Sequence, residues 1–221
     1  MEYNINTFVD KIFYINMDKD IERNNNLLNE FKKNNITNFE RISGIIFDII
    51  PKNKLMGPFN KTTDKDKYIK GSMGCLYTHR KILQIAKERQ YKKILILEDD
   101  IYFCENFEEQ FNYYVKNFIE KKIYWDILYL GLSNAKYRNK NIKVDENIIK
   151  IRSGGIGTHS YIINSNIYDY VLQNIDYLLI EIDLVYNTLN SLSAIHSYKF
   201  TDNLVKVNPK YISNISYSTN T

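Results

Sequence analysis

Short apolar runs alternate with amphipathic stretches along this chain of 221 residues. The run KIFYIN at residues 11–16 predicts a strand that breaks at Asn16. Between residues 20 and 34, apolar residues recur at spacings near three, four and seven, which predicts an amphipathic helix. NFERISGI, at residues 38–45, predicts a second short strand. A strand, a helix and a strand in this order indicate a right-handed βαβ unit with parallel strands.

The same alternation continues to the end of the chain. Four consecutive aliphatic residues, Ile94–Leu97, favour a strand that is buried on both faces, as in mostly parallel sheets. The remaining elements predicted are helices at 75–90, 105–121, 165–173 and 181–192, strands at 125–131 and 154–164, a hairpin turning near 145–147, and short strands towards the C-terminus. The pattern predicts one α/β domain over residues 1–221, with a mostly parallel central sheet flanked by helices.

Residues 46–70 interrupt the alternation. This segment contains the turn-forming residues Pro51, Gly57 and Pro58 and the charged run TTDKDKYIK. Its apolar residues show little periodicity. Loops of this length inside a compact domain are usually lids or disordered insertions. We interpret the segment as a flexible lid over an active site.

Composition narrows the classes of function. Apolar residues make up 44% of the chain, enough for a sizeable core, and the net charge of +4 is spread without a long basic run, so nucleic acid is not an expected partner. Cys75 and Cys104 match no zinc spacing and no disulfide framework. No window suits a signal peptide or a membrane span. The default expectation is therefore a reducing, cytoplasmic compartment.

Three carboxylates follow the most apolar predicted strand. Glu98, Asp99 and Asp100 come directly after Leu97, at the carboxyl edge of the predicted sheet, where open α/β folds bind ligands. Glu98 and Asp100 are two residues apart and would point to the same side of an extended chain. Two such carboxylates repel one another unless a cation lies between them, and Mg²⁺ and Mn²⁺ favour oxygen ligands. A metal site is one interpretation, and a helix-capping or solvated turn is the other.

Several segments occur in an order that resembles glycosyltransferase family 25, the group of bacterial lipooligosaccharide galactosyltransferases and collagen hydroxylysine galactosyltransferases. The resemblance covers residues 11–216 and is carried by YINMDKDIER (14–23), RISGI (41–45), GSMGCLYTHRKIL (71–83), ILEDDIYF (96–103), WDILYLG (125–131), GTHSYIIN (157–164), EIDLVYNTL (181–189) and SNIS (213–216). The ordered set is specific, although no single piece is. The chain departs from the family pattern at Thr78, Ile182, Val207 or Asn208, and Asn214.

The resemblance implies a fold of the GT-A nucleotide-sugar transferase type and a metal-dependent, inverting transfer. The expected donor is a UDP-sugar carrying galactose or glucose, and the expected acceptor is a hydroxyl of a glycan or of a protein side chain such as hydroxylysine. Mn²⁺ or Mg²⁺ would be the cofactor, because a bound divalent ion stabilises charge on the leaving diphosphate. Glu98 and Asp100 are the expected metal ligands, with Asp99 as the alternate. The third ligand is left open between His159, His196 and water.

Other site residues follow from the same resemblance. Asp183 is expected to bind the acceptor or to act as the base, with Glu181 as the alternative. Capping of the predicted helix would be their plain structural role. The residues expected to bind the nucleotide-sugar are Asn16, Met17, Asp18, Arg23, Gly44, His79 and Asp99. For Arg23 the structural alternative is a surface ion pair with Asp20 or Glu22, and for His79 it is a buried position in the wall of the cleft.

The sequence is also compatible with two rival functions. One is a metal-dependent nucleotidyltransferase or phosphohydrolase, which could also place acids at a strand end. The chain contains no GxxxxGK[ST] segment to hold a nucleoside triphosphate. The other is a catalytically degenerate module that binds a sugar nucleotide without turnover, to which the departures at Val207 and Asn214 give weight.

Overall fold

The computed structural model describes residues 2–47, 65–134, 141–153 and 155–211. The strands are β1 Lys11–Asn16, β2 Phe39–Ser43, β3 Lys93–Glu98, β4 Ile101–Phe103, β5 Ile127–Asn134, β6 Ile142–Lys143, β7 Ile148–Ile151, β8 Gly155–Asn164, β9 Ser197–Phe200 and β10 Val205–Val207. The helices are α1 Ile5–Phe8, α2 Ile21–Lys33, α3 Lys65–Glu88, α4 Phe107–Glu120, α5 Tyr168–Leu178 and α6 Ile182–Ser191, with a 3-10 turn at Ser165–Ile167.

The main sheet has eight strands in the order β2-β1-β3-β8-β5-β9-β7-β6, and β4 pairs separately with β10. Pairing is parallel between β1 and β2, between β1 and β3, and between β5 and β9. β8 lies antiparallel between β3 and β5, and β7 runs antiparallel to both β9 and β6. Six of the eight strands therefore run in one direction. The predicted α/β class with a mostly parallel central sheet is confirmed.

Helices cover both faces of this sheet. Within β3, Ile94 and Ile96 face the core beneath α3, α5 and α6, whereas Leu95 and Leu97 face the core beneath α2 and α4. All four side chains are fully buried. Each contributes about 1.5–3 kcal/mol through removal of apolar surface from water. Burial on both faces fixes the register of β3, and so it fixes the place where the acidic residues leave the sheet.

The predicted lid is only partly described. Residues 48–64 lie outside the described residues, but the interpretation of residues 65–70 as loop is wrong, because α3 begins at Lys65. Asp66 and Lys70 are four residues apart, a spacing at which opposite charges stabilise a helix. Ile69 and Met73 are buried on the same face. Asp66 and Lys67 are exposed, so these two charges belong to the solvated face of a helix.

A close crossing between α3 and the segment after β2 shapes the edge of the sheet. A Cβ atom at Gly74 would overlap the carbonyl oxygen of Ile45. The Oγ1 of Thr78 accepts a hydrogen bond from the Ile45 amide (2.9 Å) and donates to the Gly74 carbonyl (2.7 Å). Glycine at position 74 thus allows the helix to approach the backbone, and Thr78 holds the two segments together.

The structure also bears on two expectations from composition. Among the described residues, none of the helices has both the length and the apolar surface needed to cross a bilayer. Cys75 and Cys104 are free thiols.

Candidate active site

A cavity of about 360 Å³ opens at the carboxyl ends of β1, β2 and β3, with α3 forming its opposite wall. The three strands are parallel, so the residues that follow them meet at one edge of the sheet. The lining includes seven of the residues predicted from sequence, namely Asn16, Met17, Arg23, Gly44, Glu98, Asp99 and Asp100. Met17 packs over Gly44, where a Cβ atom would overlap its sulfur.

Asp99 is the anchor of the acidic turn. One carboxylate oxygen accepts a hydrogen bond from Asn16 Nδ2 (2.7 Å), and the other accepts one from Arg23 Nη1 (3.1 Å). Burial raises the pKa of Asp99, and the bonds from Asn16 and Arg23 oppose that rise. Because both carboxylate oxygens of Asp99 accept these hydrogen bonds, Asp99 holds Asn16 and Arg23 in position. Arg23 pairs with Asp99, and Glu22 pairs with Lys210.

Arg41 was not found from the sequence, although it completes this network. Its Nε donates to the Asn16 side-chain oxygen (3.0 Å), and its Nη2 donates to the Asn16 carbonyl (3.2 Å) and to Asp18 (2.6 Å). The hydrogen bond from Arg41 holds the pKa of Asp18 below its ordinary value. The signal in the sequence is an arginine two residues before the end of β2. Because β2 lies beside β1 in parallel register, an arginine at this position can reach Asn16. Asn16 is fixed from both sides and cannot rotate freely.

Glu98 points from the end of β3 towards α3. Its Oε1 accepts a hydrogen bond from Thr158 Oγ1 (3.0 Å) and lies 4.0 Å from His79 Nε2. Burial, and then the charge of Asp100, raise the pKa of Glu98 to about 8, although 31% of the side chain faces the cavity. At neutral pH the carboxyl group therefore favours its protonated form unless a cation is bound nearby.

Asp100 presents an oxygen that no described residue satisfies. Its Oδ1 is buried and has no hydrogen-bond partner within the described ranges, and its Oδ2 lies 3.9 Å from Arg23 Nη1. Burial raises the pKa of Asp100, and the Arg23 charge opposes that rise. Two carboxylates with raised pKa values and an oxygen without a partner fit a hard divalent cation, which would supply the missing charge.

The raised pKa of Glu98 predicts a pH-dependent cost to stability. Its pKa is about 8 in the folded protein and about 4.3 in an unfolded chain, so the folded state binds more protons and loses stability as pH rises between these values. Glu98→Gln removes this titration. In chelator, we expect the melting temperature of the variant to exceed that of the wild type by a margin that grows up to about pH 8.

The control for this measurement is Glu120→Gln, a change at the exposed end of α4. That variant should follow the wild-type curve at every pH. A constant difference between Glu98→Gln and the wild type across the pH range would show that Glu98 is not perturbed by its surroundings.

Cations line the same cavity as the acids. Lys19, Lys67 and Lys70 line it together with Arg23, whose guanidinium lies 5.1 Å from the ring centroid of Tyr211. The sequence does not reveal Lys67 and Lys70, because the weak periodicity of the run that contains them predicts a loop. A cavity lined by both cations and carboxylates can hold an anionic ligand and a metal ion together.

His79 is completely buried behind the cavity, as the structural alternative predicted. Its Nδ1 is hydrogen-bonded to the hydroxyl of Tyr161 (2.8 Å), which in turn is hydrogen-bonded to Tyr186 (3.0 Å). Burial lowers the pKa of His79 to about 3, so the ring is neutral at physiological pH. His79 does not line the cavity, and Glu98 lies between His79 and the cavity.

Asp183 and Glu181 lie at the start of α6. Asp183 Oδ2 accepts a hydrogen bond from the Gly157 amide (3.2 Å), and Oδ1 accepts one from the Leu184 amide (2.9 Å). Burial raises the pKa of Asp183, and the bond from Gly157 opposes the rise. Gly157 precedes the threonine that contacts Glu98, and the Asp183 charge contributes to the raised pKa of Glu98. Glu181 instead accepts a hydrogen bond from Tyr68 of α3 (2.5 Å).

The two histidines suggested as third metal ligands lie in different surroundings. His196 immediately precedes β9, at the amino edge of the sheet, where its Nδ1 is close to Lys150 Nζ (3.3 Å). The strand register places it about 15 Å from Glu98 along the strand direction, so this suggestion is wrong. His159 is buried beside Gly131, and burial lowers its pKa to about 4.

Residues 9–186 match the model of the family described as Glycosyltransferase family 25 (LPS biosynthesis protein). A Haemophilus influenzae protein named "Putative glycosyltransferase" is 28% identical over 166 residues, which cover 73% of this chain and 56% of that protein. The mouse "Inactive glycosyltransferase 25 family member 3" is 31% identical and the human "Procollagen galactosyltransferase 2" is 26% identical, each over 62 residues, 28% of this chain and 10% of the relative. The chain thus spans a tenth to about half of these relatives.

A solved structure of UDP-glucose pyrophosphorylase complexed with UDP-glucose is 10% identical, with a TM-score of 0.45 over 87% of this chain and 73% of that one.

Proposed function

Because this chain belongs to glycosyltransferase family 25, we propose that it transfers a hexose from a UDP-sugar to an acceptor hydroxyl, with inversion and with a divalent cation held by Glu98 and Asp100. The observation that carries the proposal is the cavity at the carboxyl edge of β1, β2 and β3, which these acids line together with lysine and arginine side chains. A nucleoside diphosphate needs a metal ion held by the acids and also cationic side chains, because its negative charge exceeds the charge of a single divalent ion.

The diphosphate would lie between the acidic turn and α3. Arg23 is held by Asp99 with its guanidinium at the cavity wall, and Lys67 and Lys70 project from the first turns of α3. Asn16 and Gly44 border the same space at the ends of β1 and β2, where a ribose or base would be held. When bound, Mn²⁺ or Mg²⁺ would stabilise the charge that develops on the leaving diphosphate.

The acceptor hydroxyl must lose a proton as it attacks the anomeric carbon from the face opposite the leaving group. Asp183 is our proposed base. Its position beside Gly157, one residue from the Thr158 contact with Glu98, supports this role, and its raised pKa makes it a stronger base than an exposed carboxylate. Glu181 is the alternative: one of its oxygens accepts a hydrogen bond from Tyr68, and the other is buried without a hydrogen-bond partner among the described residues.

Galactose and glucose are the proposed donor sugars, with a glycan or a hydroxylysine-type side chain as acceptor. The relative named procollagen galactosyltransferase supports galactose over its 62 matched residues. A second candidate function is binding without turnover, which the relative named inactive family member favours over a match of the same length.

Incubation with UDP-galactose or UDP-glucose and Mn²⁺, with and without chelator, tests the proposal. We expect release of UDP that stops in chelator and resumes when Mn²⁺ is restored. UDP release that is indifferent to chelator would contradict the metal mechanism. Calorimetry that shows binding of UDP and Mn²⁺, with no transfer to a broad acceptor panel, would favour the second candidate.

A further inference from the structure

A second group of potential ligands lies at the inner end of the cavity. Cys75 and His79 are four residues apart on α3, so their side chains lie on one face of the helix. Glu98 approaches that face from the end of β3. One ligand atom from each of these three side chains lies within 4.8 Å of the other two. Among the described residues, Asp100 does not belong to this group.

The imidazole of His79 has a nitrogen that can coordinate a metal ion. It is fully buried, and its Nε2 has no hydrogen-bond partner among the described residues. Its other nitrogen is engaged by Tyr161, which Tyr186 holds in place. If Nδ1 carries the proton and donates to Tyr161, the Nε2 lone pair points towards Cys75 and Glu98. This outer contact is the kind that orients histidine ligands in metal sites.

The three ligand types identify the class of ion. A thiolate, an imidazole and a carboxylate together favour a borderline-soft ion such as Zn²⁺ or Co²⁺ over Mn²⁺ and Mg²⁺, which favour oxygen. Tetrahedral coordination at zinc bond lengths places ligand atoms about 3.3–3.7 Å apart. The present separation of His79 Nε2 and Glu98 Oε1 is 4.0 Å, and the partly exposed Glu98 can adjust by this difference.

The geometry points to a second metal site, in which Cys75 Sγ, His79 Nε2 and Glu98 Oε1 hold a Zn²⁺-type ion whose fourth position faces the cavity. Cys75 and Glu98 both line the cavity, so an ion can enter from it. Binding releases the thiol proton of Cys75 and the carboxyl proton of Glu98 to solvent. The site itself does not depend on the proposed transfer. One consequence rests on that function: Zn²⁺ would compete with Mn²⁺ for Glu98 and inhibit.

Titration of the metal-free protein with Co²⁺, without any donor sugar, tests the site. A cobalt ion bound to a thiolate gives a charge-transfer band in the near ultraviolet, and we expect one equivalent to produce it. Cys75→Ser should lose the band. Cys104→Ser is the matched control, because it removes the other cysteine, which lies outside the cluster, and it should keep the band.

Absence of the band from the wild-type protein would overturn the proposal, whether or not the variants fold. A band that persists in Cys75→Ser and disappears in Cys104→Ser would overturn it as well. Because the spectrum is recorded without a donor, its outcome is separate from UDP release. A thiolate band in a protein that fails to transfer sugar would support this site and count against the transferase only.

Discussion

Asp100→Asn should abolish metal-dependent transfer while leaving the fold intact. The buried Oδ1 has no partner among the described residues, and the charge of Asp100 is the one that most directly opposes Glu98. An amide keeps the size of the side chain but gives up the charge that a divalent cation requires. Loss of one such electrostatic contact costs about 10²–10³-fold in turnover. We expect UDP release at saturating Mn²⁺ to fall by at least about 100-fold.

Stability distinguishes this loss from unfolding. Burial disfavours the charged form of Asp100, so a neutral amide should not lower the melting temperature in chelator. Addition of Mn²⁺ should raise the melting temperature of the wild type and have less effect on the variant. Asp169→Asn is the control, because it removes an exposed carboxylate paired with Lys87, where ion pairs contribute little. Chelator-sensitive turnover by Asp100→Asn at the wild-type rate would exclude Asp100 as a ligand.

The fold was largely predictable because its strands are short, apolar and separated by clear helical periodicity. KIFYIN is a strand at residues 11–16, as predicted. The direction of β8 was not predictable, because the residues of a buried strand read alike whichever way it runs. α3 was predicted too short at its start, because alternating charges at Lys65–Lys70 lack the apolar stripe on which the prediction depended.

The candidate site was predictable only where chemistry and strand ends coincide. Glu98 and Asp100 follow an apolar run, so their position could be inferred from neighbours in sequence. Arg41 and Cys75 could not be inferred in that way. Arg41 reaches Asn16 from the adjacent strand, and Cys75 meets Glu98 across the helix–sheet packing. Such contacts depend on tertiary structure, which a spacing rule along one chain does not contain.

Asp183→Asn is expected to reduce turnover without a comparable change in donor binding. A carboxylate that accepts the proton of the attacking hydroxyl contributes about 10²–10⁴-fold, whereas the described contacts of Asp183 are to the backbone amides of Gly157 and Leu184. Asparagine keeps an oxygen that can accept the hydrogen bond from the Gly157 amide, so the backbone at the start of β8 should keep its position. We therefore expect a fall of about 100-fold or more in kcat, with KM for UDP-sugar changed by only a few fold.

The pH profile and a comparison with Glu181 separate catalysis from helix packing. If Asp183 is the base, the acidic limb of the wild-type kcat profile lies above the ordinary range for an aspartate, since burial raises its pKa, and the limb disappears in the variant. Glu181→Gln keeps an acceptor for the Tyr68 hydroxyl, so it should lose less turnover than Asp183→Asn. The reverse order of the two losses would assign the base to Glu181. Nearly wild-type kcat in both variants would mean that neither carboxylate removes the proton.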